Sequence, residues 1–189
     1  VMGPQLKFKY PVDDSSTFPV NQIRDSKISP DGNSIVFSAL NKLYIMNFQD
    51  QIPRRLTNFS FIEAMPAWNK NGKEIAYVTW DEENGGSVYK QRVDKISKPI
   101  KMTQELGVYT EPVWSSDNRI VVFKGSSQQF KNSYGPRSFR QKSSLVWLNG
   151  KSPGKTKLIT KASGLSNPHF AQNDNRIYLN SKDLSLIHI

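Results

Sequence analysis

The stretch Trp68-Asn-Lys-Asn-Gly-Lys-Glu-Ile-Ala-Tyr-Val78 decides the fold of this 189-residue chain. A large aromatic closes one extended segment, Asn71-Gly72 forms a tight turn, and Ile75-Ala-Tyr-Val78 opens the next. Asn and Gly accept the positive φ that hairpin turns demand. Apolar residues on both faces of the second segment suit a strand packed on either side. Three other stretches align with this one: Ile28-Ser-Pro-Asp-Gly-Asn-Ser-Ile35, Trp114-Ser-Ser-Asp-Asn-Arg-Ile120 and Phe170-Ala-Gln-Asn-Asp-Asn-Arg-Ile177. In three of the four a proline stands two residues before the aromatic, at Pro66, Pro112 and Pro168.

The second half of the unit recurs as well. Leu43-Tyr-Ile-Met46, Val88-Tyr89 and Leu145-Val-Trp-Leu148 read as third strands, and Arg55-Leu-Thr57, Lys101-Met-Thr103 and Leu158-Ile-Thr160 as fourth strands. Units of four strands at spacings of 40 and 46 residues between Ile28, Trp68 and Trp114 have the size of a propeller blade. The next spacing is 56, because the third unit carries an insertion between its second and third strands. The pattern predicts an all-β chain, a partial β-propeller of about three and a half four-stranded antiparallel blades. The blades are expected at residues 26–57, 66–103 and 112–160, with a half-blade at 168–180, all within a propeller region over 26–183. Residues 1–25 are expected to end a preceding blade or to be a linker. Leu184-Ser-Leu-Ile-His-Ile189 breaks the register and reads as a non-native tail, so it is set aside together with His188. Too few blades are present to close a ring, and the chain is expected to be a fragment with two uncovered blade faces.

Composition narrows the function classes. There are no cysteines, which excludes disulfides, thiolate metal sites and cysteine nucleophiles. No apolar run is long enough to span a bilayer, and no signal peptide is visible. The net charge of +10 is local: Arg119 to Lys161 holds ten Lys and Arg and no acidic residue, and the rest of the chain is balanced. That placement argues against a nucleic-acid-binding protein.

The Ser29-Pro-Asp-Gly32 turn, its Trp68 and Trp114 counterparts and the Arg55-Leu-Thr57 strand end resemble TolB-type propeller repeats. Such repeats are shared with prolyl-oligopeptidase and tricorn-like propellers. A narrower resemblance, carried by Phe8-Lys-Tyr-Pro-Val-Asp-Asp14, Ala76-Tyr-Val-Thr-Trp-Asp81 with Gly85-Gly86, Ser144-Leu-Val-Trp147 and the insertion after Val122-Phe-Lys-Gly125, is to the propeller that precedes the catalytic domain of bacterial metal-dependent amidohydrolases. It implies a parent enzyme that hydrolyses amide or cyclic-amide C–N bonds with a metal-activated water, using a divalent metal such as zinc held by a His-x-His pair in a barrel. His169 and His188 stand nineteen residues apart, so no catalytic or metal-binding residue carries over, and no cofactor is expected in this segment. The resemblance also implies a periplasmic or extracytoplasmic location. Two other readings stay open: a TolB-like protein-binding propeller, and the propeller of a prolyl-oligopeptidase-type serine peptidase.

Isolated candidates for chemistry are weak. Asp13-Asp14 and Asp81-Glu82-Glu83 are carboxylate clusters, the latter best read as a hairpin loop with Gly85-Gly86 as its turn. His169 stands beside a core aromatic and reads as a packed or hydrogen-bonded structural residue. No Gly-x-Ser-x-Gly elbow and no phosphate-binding glycine loop is present. The marked departure from the repeat is Gly125 to Ser144, where Phe130, Lys131, Tyr134, Arg137, Arg140 and Lys142 interleave basic and aromatic side chains. The expected role is docking, on the missing blades and catalytic domain or on a protein partner, or a solvated loop with an apolar anchor, in preference to nucleic acid.

Overall fold

The computed structural model describes residues 19–83, 85–128, 143–171 and 175–181, and the backbone of 187–188. Among these residues fifteen strands form antiparallel sheets in strict chain order. Sheet one is β1 (Arg24–Ile28), β2 (Ser34–Ala39), β3 (Lys42–Asn47) and β4 (Arg54–Arg55). Sheet two is β5 (Ile62–Trp68), β6 (Glu74–Asp81), β7 (Gly85–Arg92) and β8 (Ile100–Lys101). Sheet three is β9 (Val108–Trp114), β10 (Arg119–Gly125), β11 (Ser144–Asn149) and β12 (Lys157–Lys161). Sheet four is β13 (Leu165–Phe170), β14 (Ile177–Ser181) and β15 (Ile187–His188). The all-β, open, partial propeller expected from the repeat is the fold observed.

Residues 184–189, set aside as a tail, are not wholly outside it. The backbone of Ile187–His188 pairs with Tyr178 and Leu179 as a short third strand. An extended stretch can pair wherever an edge strand offers open donors and acceptors, so repeat register is no requirement.

The turns that defined the repeat are built by one device. In the first, Asn33 and Ser34 donate their N–H groups to Asp31 Oδ1 and Ser29 Oγ at 3.1 and 2.9 Å. In the second, Asn69 Oδ1 accepts the N–H groups of Lys73 and Glu74 at 3.1 and 3.0 Å. In the third, Ser115 Oγ accepts that of Arg119 at 2.9 Å. The polar residue directly after each inner strand therefore satisfies the turn's donors. Gly32, Gly72 and Asn118 hold the positive φ, at 74°, 69° and 68°.

Sheets stack face to face in sequence, through three apolar layers. Val36 and Leu43 of sheet one meet Ile75 and Tyr77 of sheet two. Val78, Val88 and Met102 of sheet two meet Trp114, Ile120 and Val122 of sheet three. Phe123 and Leu145 of sheet three meet Ile177 and Leu179 of sheet four. Second and third strands thus bury both faces, which explains their unbroken apolar runs.

Candidate functional site at the axis

The first strand of every sheet lies at its edge, and these four inner strands converge on one cavity of about 720 Å³. Its wall is four equivalent tetrads, Asp25–Ile28, Met65–Trp68, Glu111–Trp114 and Asn167–Phe170, together with Ser166. The tetrads share a backbone feature that no residue type announces. Asp25, Met65, Glu111 and Asn167 have φ values of 52°, 52°, 55° and 53°. Each sits in a β-bulge, where pairing with the second strand skips from Arg24 to Lys27, Ala64 to Ala67, Thr110 to Val113 and Ser166 to His169.

The bulge residues are chained from sheet to sheet. Met65 donates its N–H to Asp25 Oδ2 at 3.2 Å, Glu111 to Met65 Sδ at 3.2 Å, and Asn167 to Glu111 Oε2 at 2.6 Å. A second contact runs parallel to this one. Trp68 Nε1 donates to the Lys27 carbonyl and Trp114 Nε1 to the Ala67 carbonyl, each at 3.0 Å. Each indole thus reaches the residue before the corresponding aromatic position of the preceding sheet. Pro66, Pro112 and Pro168 follow the bulge residue and bring no N–H to the inner edge, which, with the bulge, blocks strand addition from the channel. Ser26 takes that place in sheet one.

Outside the axis, polar groups tie neighbouring sheets. Lys90 is buried, pairs with Glu74 at 3.2 Å and donates to the Gly150 carbonyl of sheet three at 2.7 Å. The Glu105 carboxylate accepts from Lys124 Nζ at 2.8 Å and from the Thr156 hydroxyl at 2.6 Å. Lys124 first, then Thr156, lower its pKa to about 2. Glu63 is fully buried and accepts from the Leu43 N–H at 3.2 Å and from the Thr57 hydroxyl. Lys42 Nζ donates to the carbonyls of Phe59, Ser60 and Phe61 at 3.0, 2.6 and 2.7 Å, pinning the crossover into sheet two. All of these groups have partners that account for them structurally.

His169 is exposed at the cavity wall. Its Nδ1 lies 2.9 Å from the Asn167 carbonyl and its ring stacks on Tyr178 with centroids 5.7 Å apart. It is hydrogen-bonded as expected but not packed into the core, because the tetrad turns that side chain to the channel. Asp81 pairs with Gly85 across a hairpin, and Asp81 Oδ1 accepts the Glu83 N–H at 2.9 Å. Phe130, Lys131, Tyr134, Arg137, Arg140 and Lys142, the expected docking loop, lie outside the described residues, as do Asp13-Asp14 and Phe8. The strands that flank the insertion are described: β10 and β11 pair without interruption from Arg119–Asn149 to Lys124–Ser144. Among the described residues no group of three or more His, Cys, Asp or Glu is placed to hold a metal ion. No helix among them is long and apolar enough to cross a membrane.

Among solved structures the chain is similar to a TolB from Agrobacterium tumefaciens, at 16% identity over 79% of the chain with a TM-score of 0.58. The tricorn protease matches at 10% identity over 88%, with a TM-score of 0.62. Dipeptidyl peptidase 4 of Porphyromonas gingivalis matches at 12% over 88%, with a TM-score of 0.61. The fold is a TolB-like partial propeller. At these identities the likeness concerns the fold alone. The chain spans 53% of the TolB, 21% of the tricorn protease and 30% of the peptidase. No family model and no curated protein matches the sequence. The amidohydrolase link finds no support in these structures.

Proposed function

We propose that the chain supplies blades of a non-catalytic propeller whose axial channel meets a polypeptide. Two settings fit this reading: a TolB-like protein-binding platform, and a sieving domain attached to a prolyl-oligopeptidase-type serine peptidase. The observation that carries it is the wall of the axial cavity. Sheets one and four place polar and charged side chains there, Ser26, Lys27, Ser166 and His169 among them, and sheets two and three add Met65, Trp68 and Val113, around a space of about 720 Å³. The His169 ring is engaged by the Asn167 carbonyl and Tyr178, so among the described residues the wall offers recognition groups and no assembled nucleophile–base pair.

The solved structures similar in fold include a TolB and peptidases, which supports both settings and favours them over an amidohydrolase parent. An extracytoplasmic location belongs to the same proposal. The coding sequence that continues beyond the chain separates the settings. An α/β-hydrolase domain with a Gly-x-Ser-x-Gly elbow marks the peptidase, remaining blades alone mark the TolB-like platform, and a barrel with His-x-His restores the amidohydrolase. For the channel itself, the chain is expected to bind a reduced, unfolded polypeptide saturably without cleaving it. Lys27→Trp and His169→Trp should weaken that binding by obstructing the channel. Hydrolysis by the chain alone, or binding indifferent to both substitutions, defeats the proposal.

A further inference from the structure

The relay along the inner strands takes its three acceptors from Asp25, Met65 and Glu111: a carboxylate, a thioether and a carboxylate. The thioether is the odd member. A neutral sulfur is a weak acceptor, yet it stands 3.2 Å from the Glu111 nitrogen where sheets two and three meet. It is also the acceptor that a two-electron oxidant can convert into a different chemical group.

The three methionines among the described residues are not equivalent. Met102 is fully buried in the layer between sheets two and three. Met46 is half-buried on β3, away from the inner strands. Met65 is half-buried too, but it lines the axial cavity, held there by the bulge at φ 52°. The axis of a propeller is a channel whatever the number of blades around it, so small solutes reach this position whether or not further sheets complete the ring. The chain has no cysteine, and no thiol competes with its thioethers for an oxidant.

We propose that Met65 is an oxidation site that regulates the axial channel, with hydrogen peroxide as the oxidant. One sulfur lone pair serves the Glu111 N–H, and the other attacks a peroxide oxygen. The S–O bond forms as the O–O bond breaks, the sulfur gives up two electrons, and the leaving hydroxide takes the proton of the transferred hydroxyl and departs as water. A dithiol-dependent methionine sulfoxide reductase reverses the step, releasing the oxygen as water while the dithiol becomes a disulfide. Two consequences follow for the wall. The electron-poor sulfur is a worse acceptor for the Glu111 N–H, and a polar S–O group enters the sector that Met65 shares with Trp68 and Val113. An apolar stretch of polypeptide lying there then meets an uncompensated dipole. The effect on polypeptide rests on the channel reading, and the effect on the junction does not.

The test uses the full chain with Met2→Leu and Met46→Leu, which leaves Met65 and Met102 as its thioethers. Under dilute hydrogen peroxide, peptide mapping by mass spectrometry should show Met65 converting at least about tenfold faster than Met102, which meets the oxidant only when the sheets open. In the Met65 sulfoxide form the Glu111 amide should exchange about tenfold faster, the size of one lost hydrogen bond. Unfolded polypeptide should bind about tenfold more weakly, the cost of one uncompensated polar group. Methionine sulfoxide reductase should restore both. Met65→Gln, which fixes a side-chain dipole at the site, should reproduce the weaker binding, and Met65→Leu should make binding insensitive to peroxide. Oxidation of Met65 no faster than that of Met102 overturns the proposal, and so does a sulfoxide form with an unchanged Glu111 amide or unchanged binding. Should the untreated chain bind no polypeptide, the channel reading falls by itself, and the Glu111 amide alone decides for or against the oxidation site.

Discussion

The junction between sheets two and three and the junction between sheets three and four share one axial design and differ in everything added to it. Both have the bulge relay, through Met65 Sδ to the Glu111 N–H and through Glu111 Oε2 to the Asn167 N–H. Only the first adds an indole latch from Trp114 to the Ala67 carbonyl, a buried Lys90 reaching across to the Gly150 carbonyl, and the Glu105–Lys124–Thr156 clip. The second substitutes Phe170 for tryptophan and, among the described residues, joins its turns through a Ser116–Asn175 hydrogen bond at the surface. Convergent inner strands are thus the common element, and the peripheral contacts grade the strength of each junction.

Four changes break or sharpen that contrast. Trp114→Ala should cost about 3–5 kcal/mol, since it empties a site only 9% exposed and removes the indole donor. Phe170→Ala, at a half-buried position, should cost about 1–2 kcal/mol by the same scale. Chemical denaturation of the two variants measures the difference, and equal losses erase the contrast. Lys90→Met should cost about 2 kcal/mol by stripping the Gly150 carbonyl and Glu74 of their donor, an unsatisfied-group effect visible as a lower denaturation midpoint. In the opposite direction, Phe170→Trp should stabilise sheet four by about 1 kcal/mol if the new indole reaches the Val113 carbonyl. Hydrogen exchange in β13 and β14 reports it directly.

The smallest effect is a pH dependence. Glu105 is held at about 2, below the ordinary glutamate value of 4.5, so its contribution is fully present above pH 4.5 and is lost as pH falls toward 2. The midpoint difference between the chain and Glu105→Gln should therefore shrink over that window. A constant difference contradicts the clip.

Much of the architecture was legible because it lives in local chemistry. Asp31-Gly32, Asn71-Gly72 and Asp117-Asn118 specify turns, and the apolar runs after them specify strands covered on both faces. The short fourth strands were legible only through their repeated Thr. The axial site was less so. Asp25, Met65, Glu111 and Asn167 have no residue type in common, and their positive φ arises from a bulge imposed by pairing with β2, β6, β10 and β14. The one sequence signal was position: three residues before the aromatic, and before proline in three of four tetrads. Lys90 and Glu105 were invisible for a different reason, because their partners at Gly150 and Thr156 lie 60 and 51 residues away. The loop that composition did single out, around Arg137 and Arg140, lies outside the described residues.

The central claim is that these sheets fan outward from an axis, with inner strands close and outer strands spread. Paired spin labels in this cysteine-free chain measure that directly. Labels at Lys27 and His169, which line one cavity from sheets one and four, should lie closer together than labels at Arg54 and Lys157, on the outer strands of sheets one and three. The outer pair is one sheet nearer in sequence order, so a linear stack of sheets makes it the shorter distance. That reversed ordering would contradict the radial arrangement.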